Sequence, residues 1–289
     1  MITVFTPTYN RGGLLNRLYE SLKRQTYNKF EWIVVDDGST DETRSVVENF
    51  KQKASFPIKY LYTINGGKHR AINKGVQMAQ GELFFIADSD DWLLEDSLEI
   101  VAKQSENIKN KEQFGGICGL DISPRGHIIG SGLPSNIIDT NTIDIRYKFG
   151  VKGDLKEVFY TRVLKEFPFP EIDGENFCPE DLVWSRIATK YQLRFINLPI
   201  YVADYQEQGL SSRIVEIRMK SPVASMMTYL EMLDYNIPLS TKFKCSINYW
   251  RFRCCRNEKS VFPKMPLRWR FCAPFGILMH LRDLHYCKS

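Results

Sequence analysis

The 289-residue chain lacks several features that would assign a protein class at a glance. No run of eighteen apolar residues occurs, so no membrane-spanning helix is expected. Ile2 to Phe5 enters strand-like sequence at once, without a basic segment and apolar core ahead of it, so no secretory signal is expected either. The seven cysteines are scattered and odd in number, with no C-x-x-C pair. That pattern argues against a disulfide framework or a zinc site and for reduced thiols in the cytoplasm. Histidine is scarce, with four in all. His69 reads as a loop hydrogen-bonder or a substrate contact, and His127, His280 and His285 as ordinary surface or partly buried residues. A phosphate loop is also missing: Gly66-Gly67-Lys68 has the right flavour, but His69 stands where Ser or Thr is required and the earlier glycine spacing is absent. There is no internal repeat and no low-complexity tract.

Hydrophobic content of 43% and charged content of 25% are ordinary for a globular protein. The net charge of +5 conceals an asymmetry. From Lys242 onward there are eleven Lys/Arg against two acids, a net +9, which leaves −4 for residues 1–241. A basic, aromatic tail (Tyr249, Trp250, Phe252, Phe262, Trp269, Phe271, Phe275) on a mildly acidic body suggests an anionic surface as partner. Its plainest form is a helical cap with a solvated basic face. The sharper reading is peripheral attachment to the inner face of the cell membrane. No nucleic-acid-binding motif accompanies the charge, and no nucleic-acid partner is expected.

The chain is organised around Leu83 to Asp91, Leu-Phe-Phe-Ile-Ala-Asp-Ser-Asp-Asp. A short apolar run after Gly81 predicts a buried central strand. It meets three carboxylates in four positions. In extended backbone Asp88 and Asp90 point to the same side. Their repulsion would be relieved by a hard divalent cation, Mg²⁺ or Mn²⁺. Ligands of open α/β sheets bind at the carboxyl ends of strands, so the stretch reads as a metal-and-diphosphate site. The alternative is a turn whose acids cap the next helix, with Asp91 capping a helix from Trp92. The stretch is no EF-hand, since Leu93 stands where that loop needs Gly.

Ahead of that centre, strands are predicted at Ile2–Phe5, Trp32–Val35 and Ile58–Tyr62. Helices are predicted from Leu14 with Leu15, Leu18 and Leu22 on one face, after a Ser39 or Thr40 cap, and over Lys68–Gln80 ended by Gly81. Strands and helices alternating at this pace predict βαβ units and a mostly parallel, Rossmann-like sheet. Beyond Lys111, Gly115, Gly116, Gly119, Gly126, Gly130 and Gly132 are expected to break the chain into short strands and loops. Val158–Tyr160 is expected as a strand, Phe167–Pro170 as a stiff linker, and Pro179 as the first turn of a helix to about Lys190. Arg194–Ile196 and Ile200–Val202 are predicted as two strands, and Val215–Leu233 as helical.

Every early strand therefore ends in a polar cluster, and a parallel sheet puts those ends on one edge. Together they offer an aromatic ring (Tyr9), carboxylates (Asp36, Asp37, Asp88, Asp90), amides beside Gly67, and cations (Arg11, Lys68, Arg70). A nucleotide needs that inventory: a stacking face, acceptors for base and ribose, and cations or metal for the phosphates.

Four motifs in order carry a family resemblance: Val4-Phe5-Thr6-Pro7-Thr8-Tyr9-Asn10-Arg11, Val34-Val35-Asp36-Asp37-Gly38-Ser39-Thr40-Asp41, Asn73-Lys74-Gly75 and Ala87-Asp88-Ser89-Asp90-Asp91. They resemble the family 2 glycosyltransferases of GT-A fold, closely over about residues 1–110 and more loosely to Trp184. The resemblance implies a GT-A domain over residues 1–235, with a nucleotide-sugar half at 1–110 and an acceptor half at 111–235, and a basic helical extension at 236–289. It implies that Thr6, Pro7, Tyr9 and Arg11 hold the base and ribose and that Asp36 or Asp37 accepts from uracil. Gly67, Lys68, Asn73 and Ser89 would help to hold the nucleotide sugar. Asp88 would contact ribose or sugar, and Asp90 would bind Mn²⁺ or Mg²⁺. Glu180-Asp181 matches the acidic pair at a helix start, where Asp181 would be the base. The positive end of that helix favours an ionised carboxylate, though acids in a first turn also serve the helix alone.

Two departures stand out. Ala71-Ile72-Asn73 replaces the Ala-Arg-Asn of many relatives, leaving Lys68 or Arg70 for the phosphates. Residues 204–213 contain no histidine to complete a metal site. Trp184 suits a core position better than a sugar platform. The implied activity is metal-dependent, inverting transfer from a nucleotide sugar, most simply UDP-linked, to a glycan or lipid-linked glycan acceptor in surface polysaccharide or glycolipid assembly. The rivals are a sugar-1-phosphate nucleotidyltransferase, disfavoured by the missing triphosphate loop, and a non-catalytic glycan- or nucleotide-sugar-binding protein, disfavoured because every strand-end acid is present.

Overall fold

The computed structural model describes residues 1–205, 213–255 and 264–286. The chain forms two compact units, one of Met1–Phe169 with Arg186–Tyr205 and another of Pro170–Ser185 with the described part of 206–289. The domain boundary expected near residue 235 lies inside the second unit.

The first unit holds one eight-stranded sheet. Its strands are β1 (Ile2–Thr8), β2 (Phe30–Asp36), β3 (Ile58–Tyr62), β4 (Leu83–Ile86), β5 (Phe114–Ile122), β6 (Ile137–Thr140), β7 (Leu155–Tyr160) and β8 (Gln192–Val202). The order is β3-β2-β1-β4-β7-β5-β8-β6. The first four strands in sequence are mutually parallel, β7 runs antiparallel to β4 and β5, β8 is parallel to β5, and β6 is antiparallel to β8. The carboxyl ends of β1 to β5 and β8 thus share an edge with the start of β7. The helices are α1 (Leu15–Lys23), α2 (Thr43–Lys53), α3 (Lys68–Met78), α4 (Ser97–Glu106), α5 (Thr142–Tyr147), α6 (Thr161–Glu166), α7 (Glu180–Ile187), α8 (Ile214–Lys220), α9 (Pro222–Glu231), α10 (Leu239–Arg253) and α11 (Ala273–Tyr286). The expected mixed α/β architecture with C-terminal helices is present.

The central strand is as short and dry as its composition requires. All four residues of β4 are buried, and Phe84 stacks on Phe5 of β1 at 5.0 Å between ring centroids. A fully buried side chain of this size is worth about 1.5–3 kcal/mol, so this seam anchors the edge that carries the strand-end loops.

Several local expectations are corrected. Three of the glycines after Lys111 do not break the chain: Gly115, Gly116 and Gly119 lie inside β5, a nine-residue buried strand, while Gly126, Gly130 and Gly132 lie in the turns and loop after it as expected. A Cβ on Gly116 would sit 2.1 Å from the Val158 carbonyl oxygen, and one on Gly119 would sit 2.6 Å from Ile200, so close packing of β5 on its neighbours selects glycine there. Arg194–Ile196 and Ile200–Val202 are one strand, β8, running through Pro199. Proline is tolerated because β6 pairs only as far as Ile196 and the β5–β8 register shifts at Leu120. Ser39 and Thr40 do not cap α2: its N-cap position is Glu42, which makes no side-chain cap bond, and Asp41 just before it accepts from the first helical amide, that of Thr43, at 3.0 Å. Asp91 caps no helix either, because the next one, α4, starts only at Ser97.

In the second unit Met226, Leu233, Cys245, Tyr249, Phe252, Met265, Trp269 and Cys272 form one core. Glu175 is buried and caps α9, accepting from the Val223 and Ala224 amides at 2.7 and 2.9 Å. Burial pushes its carboxyl up against those bonds. Three tail aromatics, Tyr249, Phe252 and Trp269, are therefore core residues; Phe262 lies outside the described residues.

Candidate functional site

The loops after β1 and β2 are stitched together. Asn10 adopts a left-handed conformation, φ 51°, which asparagine tolerates better than most residues. There its N–H donates to Ser39 Oγ, and its Oδ1 accepts from the Thr40 N–H, both at 2.8 Å. This fixes the backbone between Tyr9, which is half exposed, and Arg11. Thr6 turns inward, its Oγ1 accepting from Trp32 Nε1 at 2.9 Å. Pro7 lies beside Val35 within the sheet.

Asp36 and Asp37 follow at the end of β2, both buried. Asp36 accepts from the Ser39 N–H at 2.8 Å and from the Tyr60 hydroxyl at 2.6 Å. Asp37 accepts from the amides of Gly66 at 2.8 Å and Gly67 at 2.7 Å. Burial raises the Asp37 carboxyl, with those amides and Lys74 pulling the other way. An ionised carboxylate has about four acceptor sites, so each acid positions a loop and keeps capacity for a ligand donor. By holding Gly66–Gly67, Asp37 sets the start of α3 and hence Lys68.

After β4 the backbone is not extended. The Asp91 N–H donates to the Asp88 carbonyl at 3.2 Å, closing a turn. Asp88 and Asp90 are held by cations rather than paired by strand alternation. Lys68 Nζ lies 2.7 Å from Asp88, and Arg11 lies 2.7 Å from Asp90 and 3.4 Å from the buried Ser89 hydroxyl. Burial would raise the Asp88 carboxyl, but Lys68, Lys156 and Arg11 outweigh it and hold it below the usual range. Six of the predicted residues (Arg11, Asp37, Gly67, Lys68, Asp88 and Asp90) thus form one chain of contacts across the four loops that follow β1 to β4. The side-chain amide of Asn73 clamps the Phe169 backbone through two bonds of 2.9 Å.

Other residues complete this edge. Tyr201 of β8 is buried and accepts from the Asp88 N–H at 2.7 Å, and Lys156 Nζ stands 3.5 Å from its ring centroid. Asp91 accepts from the Asp204 N–H at 2.8 Å, and its carboxyl is pushed up to about 6 by burial and by Asp88. Asp121, at the end of β5, is also raised to about 6, by burial against the pull of Lys156. Lys156 was missed because nothing in its own stretch reveals that β7 runs antiparallel. A strand-terminal acid was a visible signal for Asp121, lost by reading β5 as broken.

Asp121 makes a stability prediction. It is 4% exposed and its Oδ1 meets no hydrogen-bond donor among the described residues. Because its folded-state pKa is above that of the unfolded chain, the fold binds the extra proton between them, and stability falls as pH rises from about 4 to about 6. Asp121→Asn is expected to raise the unfolding free energy at pH 7.5 by about 1–3 kcal/mol, at 1.36 kcal/mol per pKa unit. The gain should vanish below about pH 4. Urea denaturation at the two pH values checks this.

Glu180 and Asp181 occupy the first turn of α7, Asp181 exposed and Glu180 partly so, with Leu182, Val183 and Trp184 buried behind them. The helix start was legible from Pro179. Most of the segment from Asp204 to Arg213, where no histidine was found, lies outside the described residues.

Among the described residues no three His, Cys, Asp or Glu side chains converge as an all-protein metal cage. Mg²⁺ and Mn²⁺ do not require one. Mg²⁺ commonly takes one or two carboxylates with substrate phosphates and water. Asp88 and Asp90 fit that donor set, and Lys68 and Arg11 hold them in place.

Residues 3–111 match the model of glycosyl transferase family 2. The poly(ribitol-phosphate) β-N-acetylglucosaminyltransferase TarS of Staphylococcus aureus is 36% identical over 102 residues, 35% of this chain and 18% of that protein. A GalNAc(5)-diNAcBac-PP-undecaprenol β-1,3-glucosyltransferase of Campylobacter jejuni is 37% identical over 106 residues, 36% of this chain and 34% of that one. The chain thus spans about a third or less of the length of these relatives. A crystal structure of S. aureus TarS 1-349 in complex with UDP-GlcNAc superposes with a TM-score of 0.63 at 20% identity, covering 96% of this chain and 78% of that one. The mannosyltransferase PcManGT of Pyrobaculum calidifontis, in complex with GDP-Man and Mn²⁺, superposes with a TM-score of 0.58 at 20% identity, covering 96% and 73%. These structures share the fold.

Proposed function

We infer the function of this chain from its place among the family 2 glycosyltransferases, a place carried by residues 3–111. We propose that it transfers a sugar from a UDP-linked donor to an acceptor hydroxyl with inversion, in surface polysaccharide or glycolipid assembly. The observation that carries this reading is the linked set at the sheet edge, where Arg11, Lys68, Asp88 and Asp90 face one another beside the Asp37-held loop.

Tyr9 would offer its exposed ring to the uracil face. Asp36 and Asp37 would use their remaining acceptor capacity for base or ribose donors. Lys68 and Arg11 would exchange carboxylate partners for the diphosphate as it arrives. The TarS and PcManGT complexes, with UDP-GlcNAc and with GDP-Man and Mn²⁺, support a nucleotide-sugar donor and a divalent ion on this fold. Asp90, with Asp88 beside it, would hold the ion, which when bound offsets charge growing on the departing diphosphate. Asp181 would take the proton from the acceptor hydroxyl, a poor nucleophile until that proton leaves. One base and a single displacement fit inversion.

The base preference is testable. Calorimetry is expected to give tighter binding of UDP than of ADP or GDP. Equal affinities would remove the uridine assignment.

A further inference from the structure

The last helix of the second unit turns its apolar side to water. Its inner face is set by a small residue and an ion pair. Gly276 of α11 lies so close to α10 that a Cβ would sit 2.4 Å from Trp250 Cβ and 2.6 Å from the Ile247 carbonyl oxygen. Two turns further on, Asp283 is buried and paired with buried Arg251, Nη2 to Oδ1 at 2.8 Å. Close approach at Gly276 and the pair at Asp283 fix the rotation of α11 about its own axis.

That rotation sends five large apolar side chains outward. Phe275 is 58% exposed, Ile277 44%, Leu278 64%, Leu281 56% and Leu284 36%. At 3.6 residues per turn they occupy one half of the helix cylinder. In the turn just before α11, Phe271 at 55% and Leu267 at 78% are exposed as well. A water-facing helix normally shows the reverse arrangement, and an exposed apolar patch of this kind marks an interaction site. Over residues 264–286 the cations Lys264, Arg268, Arg270 and Arg282 are all exposed, and the sole acid in the stretch is Asp283, spent on Arg251. The exposed surface of this segment is therefore apolar and cationic, with no unpaired carboxylate, and Arg282 lies on α11 itself.

We propose that this face lies on an anionic membrane, with α11 in the headgroup plane, the leucines and phenylalanines reaching the acyl boundary and the cations on lipid phosphates. Charge complementarity favours lipid over a second copy of the chain, whose matching face would bring the same cations and no acid. No helix of the described residues is long and apolar enough to cross a membrane, so α11 lies on the surface. The inference is independent of the donor chemistry.

The test is flotation of the full chain with phosphatidylcholine vesicles, with and without phosphatidylglycerol, over a range of salt. Binding to the anionic vesicles at low salt, falling as salt rises, is expected. Leu278→Asp with Leu281→Asp, and separately Arg268→Glu with Arg282→Glu, are each expected to weaken binding about tenfold or more. All four residues are exposed, so circular dichroism and the thermal unfolding midpoint should match wild type. Absence of wild-type binding at low salt would overturn the proposal, as would equal binding to neutral and anionic vesicles. A dimer seen by light scattering, split by the leucine changes and indifferent to vesicles, would give the face to a second copy and overturn it too.

Discussion

Asp181→Asn is expected to lower sugar transfer by about 10²–10⁴-fold, the usual worth of a general base, while UDP affinity stays near wild type. A base acts only in the displacement step, so its loss appears in kcat and not in donor binding. The substitution also separates chemistry from helix architecture. Asp181 sits in the first turn of α7, where an acid would serve the helix dipole without any chemical role. Asparagine keeps the size and one acceptor oxygen of that side chain, and the helix-dipole contribution it loses is about 1 kcal/mol of stability at most, so a purely structural Asp181 would leave transfer nearly unchanged. Glu180→Gln is expected to be milder. A severe defect in Glu180→Gln with near-normal transfer by Asp181→Asn would move the base by one residue. Normal transfer by both would direct attention to Asp173, because Glu175 is committed to capping α9.

The second large effect is expected at Asp90. Metal stabilisation of a leaving diphosphate is worth several kcal/mol, so Asp90→Ala should lower Mn²⁺-dependent turnover by about 10²–10³-fold at 1.36 kcal/mol per tenfold. Loss of folding would not explain such a defect. The Arg11–Asp90 pair is partly exposed, with side chains 29% and 15% accessible, and pairs of that kind contribute about 1 kcal/mol at most. The released Arg11 also predicts that Asp90→Ala binds UDP no more weakly than wild type in the absence of metal. Turnover equal to wild type at saturating donor and Mn²⁺ would remove Asp90 from the metal site.

Much of this site was legible because it lies at the ends of buried apolar strands. Phe-Phe-Ile before Asp88 and Val-Val before Asp36 mark those strands by composition alone, and parallel pairing then brings their ends together. What was not legible depends on direction and register. Asp88 and Asp90 were expected to align by strand alternation, yet the chain turns after Ala87, and Lys68 and Arg11 from other loops align them instead. Tyr201 and Lys156 reach the same edge because β8 is one long strand and β7 runs backward, and neither fact has a local signature. Asn73, read as a nucleotide contact from its motif, spends its amide on Phe169. The outward apolar face of α11 was visible only as a mixture of aromatics and cations until Gly276 and Asp283 fixed which side faces α10.

The measurement that bears most directly on the central claim is product release from a panel of UDP-sugars, with Mn²⁺ and without it, in wild type and Asp90→Ala. Release of UDP from at least one UDP-sugar, dependent on Mn²⁺ and lost in Asp90→Ala, is the predicted result. Consumption of UTP and a sugar phosphate with release of pyrophosphate, and no UDP from any donor, would contradict it.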